Sequence, residues 1–134
     1  MPTIGIPARD GKILVSVAVL VPRSDRQDPE PFRALVDTGA QVSAIGPRVV
    51  EWFGADPYLT TTMRTASGVA EPAHLFRAII GIIAPDTDAA DFLWVPVNAI
   101  GLARAQPEYD VIIGMDILAL VHASLIEGTL TLSY

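Results

Sequence analysis

Ala34-Leu35-Val36-Asp37-Thr38-Gly39-Ala40 is the stretch on which the reading of this chain turns. An apolar run delivers an acid, a hydroxyl and a glycine to the end of what should be a buried strand. Burying a carboxylate without partners is strongly unfavourable, so a sequence that tolerates one there is expected to use it. The triplet also has a plainer explanation, because Asp and Thr make local turn hydrogen bonds and Gly takes positive φ. By chance such a triplet appears in a chain of this length on the order of a few per cent of the time.

Outward from Asp37 the chain reads as many short strands. Between Lys12 and Val21, Ile13 and the alternate positions Val15, Val17, Val19 and Val21 are β-branched, which is the period of a strand. Pro22 to Pro31 is an exposed connection, and Phe32 to Val36 leads back inside. After the triplet, Val42 to Ile45 is a short strand. Pro47 then opens a short helix through Phe53, and Gly54 stops it. Leu59 to Thr65 and Pro72 to Ile83 are two strands joined by a hairpin with Gly68 near its tip. Pro85 to Asp91 is a polar loop, and Phe92 to Val97 is a strand whose Pro96 calls for an edge or a bulge. Val111-Ile112-Ile113-Gly114 is a second buried run, with helical composition from Met115 to Leu120. Ser124 to Ile126 and Thr129 to Leu132 flank Glu127-Gly128, a two-residue hairpin turn. The expectation is one all-β domain over residues 1–134, mainly β with one or two short helices.

Composition narrows the function. A chain of 134 residues with 51% hydrophobic content can bury a real core. A formal net charge of −6 disfavours nucleic acid and anionic membrane as partners. With no cysteine there is no disulfide framework, thiol nucleophile or Cys-ligated zinc. Met1-Pro2-Thr3-Ile4-Gly5 lacks the basic and apolar regions of a signal peptide. The apolar runs near Ile13 to Val21 and Ala78 to Ala84 fall far short of the ~20 residues that span a bilayer. A soluble, cytoplasmic chain is expected, or a domain of a longer one.

Asp37-Thr38-Gly39-Ala40 with apolar flanks, together with the apolar-apolar-Gly element Ile112-Ile113-Gly114 and a helix behind it, resembles the retropepsin-like aspartic proteases, the single-lobe relatives of pepsin. The resemblance covers most of the chain. Gln41 and Met115 make it more similar to the cellular and bacterial branch than to the viral one, whose members usually carry an acid and an Arg at those places. That Arg helps tie loop and dimer together, so its absence argues against a virus-like dimer interface. The resemblance implies a closed acid-protease barrel, one lobe per chain, acting as a homodimer on a peptide or protein substrate, with no cofactor and no metal.

Hydrolysis through water needs one carboxylate to take the proton of the nucleophile and one carboxylic acid to polarise the carbonyl. This chain holds a single Asp-Thr-Gly: Asp86-Thr87-Asp88 lacks both the glycine and the apolar flanks, and Asp110 precedes its apolar run. The second acid is therefore expected from another copy of Asp37 across a two-fold axis. Two carboxylates ~3 Å apart at an effective dielectric of ~20 repel by on the order of 5 kcal/mol, enough for the pair to hold one proton between them, a general property of aspartic-protease dyads. The resemblance gives Thr38 a clamping hydrogen bond across the dimer. Gly39 brings its backbone N–H close to the carboxylate, and Ala40 leaves room for extended substrate. It also makes 65–71 a flap, with Ala66, Ser67, Gly68 and Val69 over the substrate. Ile45, Val69 and Ile112 are candidate pocket walls, with core packing an equal alternative for each.

Other chemistries find no support. His74 and His122 are not in a metal-binding spacing. Ser43 and Ser67 lack the Gly-x-Ser-x-Gly elbow, and no glycine-rich phosphate loop precedes a Lys. The acids between Asp86 and Asp91 read as a solvated loop. Two functions follow: an aspartic endopeptidase, or a non-proteolytic dimeric peptide-binding or regulatory module with the same fold. The terminal segments Thr3 to Ile6 and Thr129 to Ser133 are expected to supply strands to a dimer sheet.

Overall fold

The computed structural model describes residues 3–64, 67–83 and 92–134. The expected loop from Pro85 to Asp91, and Thr65 and Ala66 of the expected flap, lie outside the described residues.

The alternation of Ile13 to Val21 becomes β2 (Leu14–Leu20), preceded by β1 (Thr3–Pro7) and followed by β3 (Glu30–Val36). Next come β4 (Ala44–Ile45), α1 (Pro47–Phe53), β5 (Leu59–Arg64), β6 (Ala70–Ile82) and β7 (Leu93–Gly101). The chain closes with β8 (Val111–Ile113), α2 (Met115–Leu118), β9 (His122–Ile126) and β10 (Thr129–Ser133). The fold is thus all-β with two short helices, as the patterning predicts. The second helix is shorter than its composition suggests, ending at Leu118 because Ala119 is its C-cap.

Strands β2-β3-β8-β4-β7-β6 pair in that order, and a further pairing of β2 with β6 closes them into a six-stranded barrel. Closure removes the exposed edges that an open sheet of this size would carry. Val17, Val19, Ile45, Ile80, Ile82, Val111 and Ile113 fill the interior with no exposed surface. One side of α1 completes it, since Val49 and Phe53, four residues apart, lie on the same helix face and are wholly buried. Proline opens this helix at its first turn, and Gly54 in the left-handed conformation closes it.

β6 serves two structures. Its first half pairs with β5 from Ala70↔Arg64 to Leu75↔Leu59, and its second half pairs with β2 and β7 inside the barrel. Burial follows: the strand is mostly exposed near Ala70 and buried at its Gly81–Ile82 end. The β5–β6 hairpin therefore projects from the barrel as a two-stranded arm, tied partway along by the side-chain pair of Thr60 and His74 at 3.0 Å. In β7, Pro96 pairs with Ile79 on one side, while β4 reaches only Ile100 and Gly101 on the other. Among the described residues Pro96 therefore has a paired strand on one side alone, as an edge position would require.

A separate three-stranded sheet, ordered β1-β10-β9, gathers both ends of the chain. Its β9–β10 turn has Glu127 at φ 51° and Gly128 at φ 76°, the two left-handed residues of a type I′ turn. Gly128→Ala should lower stability by about 1 kcal/mol, because a Cβ is strained at that φ. Thermal unfolding checks it, and an unchanged midpoint would count against the turn assignment.

Candidate active site

Two motifs far apart in sequence meet because β3 and β8 are parallel and in register. Ala34 pairs with Val111, Leu35 with Ile112 and Val36 with Ile113, so both strands end at the same level. The residues that leave them, Asp37 and Gly114, are neighbours as a result. The Asp37 N–H donates to the Ile113 carbonyl at 2.9 Å. β4 returns antiparallel along the other side of β8, which places β8 between the strands that precede and follow the Asp37 loop.

Asp37 is half-buried, with Thr38 and Gly39 exposed beside it and Ala40 half-buried. The carboxylate accepts the Gly39 N–H at 2.9 Å on Oδ1, and a Cβ on Gly39 would stand only 3.2 Å from that oxygen. Among the described residues Asp37 makes no ion pair, the salt bridges being Lys12 with Glu108 and Arg48 with Asp110. The strand behind this acid is only partly buried, with Ala34 alone fully covered, and among the described residues the carboxylate has one backbone donor and no cation. The Thr38 hydroxyl has no partner among the described residues.

The loop is bolted to the segment after β8 through residues that the motif alone does not reveal. Ser43, the one buried polar side chain among the described residues, donates its hydroxyl to Asp116 Oδ1 at 2.6 Å and accepts the Gly114 N–H at 3.0 Å. Its backbone N–H donates to Asp116 Oδ2 at 2.9 Å. Asp116 Oδ1 also accepts the Ile117 N–H at 2.9 Å. Main-chain bonds run alongside, from Met115 N–H to the Ala40 carbonyl at 2.8 Å and from Asp116 N–H to the Gln41 carbonyl at 3.2 Å. Gly114 is needed for space: a Cβ there would lie 2.8 Å from the Ala40 carbonyl oxygen and 2.9 Å from the Val42 carbonyl carbon. The signal in the sequence was a serine six residues after Asp37 and an acid two residues after Gly114. Only pairing of β3 with β8 gives that spacing a meaning.

The remaining expected site residues divide. Ile45 has no exposed surface and packs in the barrel core, whereas Ile112 is partly exposed between its buried neighbours Val111 and Ile113. Ser67, Gly68 and Val69 lie at the end of the β5–β6 arm, Gly68 with φ 83° and Val69 with an exposed side chain. His74 belongs to the arm's own bonding, and His122 is exposed on β9. Among the described residues no cluster of His, Asp and Glu could hold a metal ion, and no helix is long and apolar enough to cross a membrane.

The profile of an aspartyl protease family matches residues 26–117, which include Asp37, the arm and Gly114. The chain belongs to the aspartyl protease family. Its fold is retropepsin-like: a crystal structure of a retropepsin-like aspartic protease from Rickettsia conorii superposes with a TM-score of 0.68, covering 99% of this chain and 91% of that one at 18% identity. The retroviral protease-like domain of Ddi1 from Leishmania major is also similar, with a TM-score of 0.47 at 20% identity over 85% and 82% of the two chains. Among curated proteins none matches the chain. Family and fold together support a protease-type, hydrolytic function for this aspartyl protease.

Proposed function

We propose that the protein is an aspartic endopeptidase that acts as a homodimer, with one Asp37 from each copy forming the catalytic pair. The observation that carries this reading is the setting of Asp37. It stands at the end of the partly buried strand β3, oriented by the Gly39 N–H, half-exposed, and among the described residues without a cation or a second acid in an ion pair or hydrogen bond. Such a carboxylate is poised to share a proton with its own copy. In the pair, the ionised Asp37 takes a proton from the water that attacks the scissile carbonyl. The protonated Asp37 donates to the carbonyl oxygen, and proton return to the amine nitrogen lets the C–N bond break.

The β5–β6 arm supports a role as a flap. It leaves the barrel, carries Gly68 and Val69 at its end, and can lay its backbone along an extended peptide to exclude water. Thr38, exposed and without a partner among the described residues, is available to bond across the dimer axis. Ile112, partly exposed beside the Asp37 loop, supports a role as a pocket wall.

A peptide-library digest read by mass spectrometry from acid to neutral pH tests the reading. Cleavage should follow a bell-shaped pH profile, because the pair is inactive when both acids are protonated and again when both are ionised. No cleavage at any pH would favour the peptide-binding module instead.

A further inference from the structure

A pocket apart from the Asp37 loop collects cations in a chain that is short of them. It has a volume of about 390 Å³ and lies where the end of β1 and the turn after it meet β2 and β3. Arg9, Lys12 and Arg33 line it, three of the nine Lys and Arg residues in a chain of net charge −6. Backbone bonds fix two of them. Arg9 and Lys12 exchange both main-chain hydrogen bonds, at 2.8 and 2.9 Å, across a turn with Asp10 at φ 52° and Gly11 at φ 74°. Residues paired in this way present their side chains on one face. Arg33 is held directly opposite Ser16 by the β2–β3 ladder.

Like charges set side by side repel unless an anion lies between them. The chain supplies one such anion itself, since Lys12 Nζ donates to Glu108 Oε2 at 3.0 Å. Arg9 and Arg33 make no ion pair among the described residues, and Asp10 in the same turn pairs with neither. Two guanidinium groups are thus left without a carboxylate beside a third cation that has one. The pocket is also continuous with the proposed catalytic acid. Alternation puts Arg33 and Leu35 on the outer side of β3, away from the buried Ala34, and Asp37 follows with the same parity. Leu14, Leu35 and Ile112 pair in one row across β2, β3 and β8, and all three are partly exposed. An apolar strip therefore runs from the Asp37 loop toward the two arginines.

We propose that this pocket is a subsite for an acidic residue of the peptide substrate, whose carboxylate is held by Arg9 and Arg33. A guanidinium fork donates two parallel N–H bonds to a carboxylate, which gives orientation as well as attraction. Arg33 precedes Asp37 by four residues, about 13 Å at the rise of a strand. An extended peptide has a similar rise, so the acidic residue lies on the order of four positions from the scissile bond. The place of that bond rests on the endopeptidase reading; capture of the carboxylate does not.

A randomised peptide library tests the subsite on the full chain in two arms. Among peptides cleaved by the parent, Asp and Glu should be enriched at one position set back from the scissile bond. Arg33→Gln should lower kcat/KM at least tenfold for a selected acidic peptide and leave its Asn or Gln counterpart within about twofold. Arg33→Glu should turn the preference at that position to Lys and Arg. Arg33 is exposed, so both variants should unfold at the parent's midpoint. Asp37-dependent cleavage without acid enrichment, or enrichment that survives both substitutions, overturns the subsite and leaves the endopeptidase. The second arm needs no cleavage: the Asp37→Asn protein is used to select binders from the same library. Retained peptides should carry the acid enrichment and lose it when Arg33→Gln is added; retention indifferent to Arg33 overturns the subsite. Arg33-dependent, acid-selective retention by a protein whose parent cleaves nothing keeps the carboxylate site and removes the endopeptidase.

Discussion

Asp37→Asn should abolish peptide cleavage, by at least about a thousandfold, while the chain still folds and dimerises. General acid–base catalysis contributes about a hundred- to ten-thousandfold, and in a homodimer the one substitution changes both members of the pair. Asn keeps an oxygen able to accept the Gly39 N–H that Asp37 Oδ1 accepts at 2.9 Å, so the loop has no reason to rearrange. What is lost is the capacity to carry and release a proton. The measurement is turnover of a cleavable library peptide by the variant, beside unfolding and sedimentation controls. Retained turnover in a folded, dimeric variant would refute a catalytic role for Asp37.

Ser43→Ala has the second large effect, and it acts on the support of the site. The hydroxyl is wholly buried, donates to Asp116 and accepts from the Gly114 N–H. Removing it leaves that buried N–H without its partner and takes one donor from a carboxylate. Each unsatisfied buried group costs about 1–3 kcal/mol, so a loss of about 2–4 kcal/mol is expected in chemical denaturation. Cleavage should also fall, because the Asp37 loop is held to the Gly114 segment partly through this side chain. Asp116→Asn should cost a comparable amount, because both carboxylate oxygens accept backbone N–H groups and the amide nitrogen must face one of them. A Ser43→Ala variant within about 0.5 kcal/mol of the parent would show that the main-chain bonds from Met115 and Asp116 suffice alone.

Legibility from sequence followed the range of the forces involved. The bounds of α1 could be read because Pro47 and Gly54 act on the residues beside them. The strands could be read because alternation is a local consequence of having one face in the core, and the Glu127-Gly128 turn because its φ values belong to those two residues. The Asp37 and Gly114 elements were each visible for the same reason. The end of α2 was not, since its stop at Ala119 carries no glycine or proline. Nor was the division of β6 between arm and barrel, because that depends on which strands come to lie beside it.

By itself the sequence determined an all-β chain with a single Asp-Thr-Gly, from which the proposal of a second acid supplied by another copy follows. Only the tertiary structure decided what holds that acid in place and which edges remain free. Parallel registration of β3 with β8 brings Ser43 onto Asp116, residues 73 positions apart in the chain. Pairing of β10 on both sides leaves β9 as the uncharged edge of its sheet. The physical reason is that propensity and periodicity act over a few residues, whereas hydrogen-bond partners and uncovered edges depend on which distant strands the closed barrel makes adjacent.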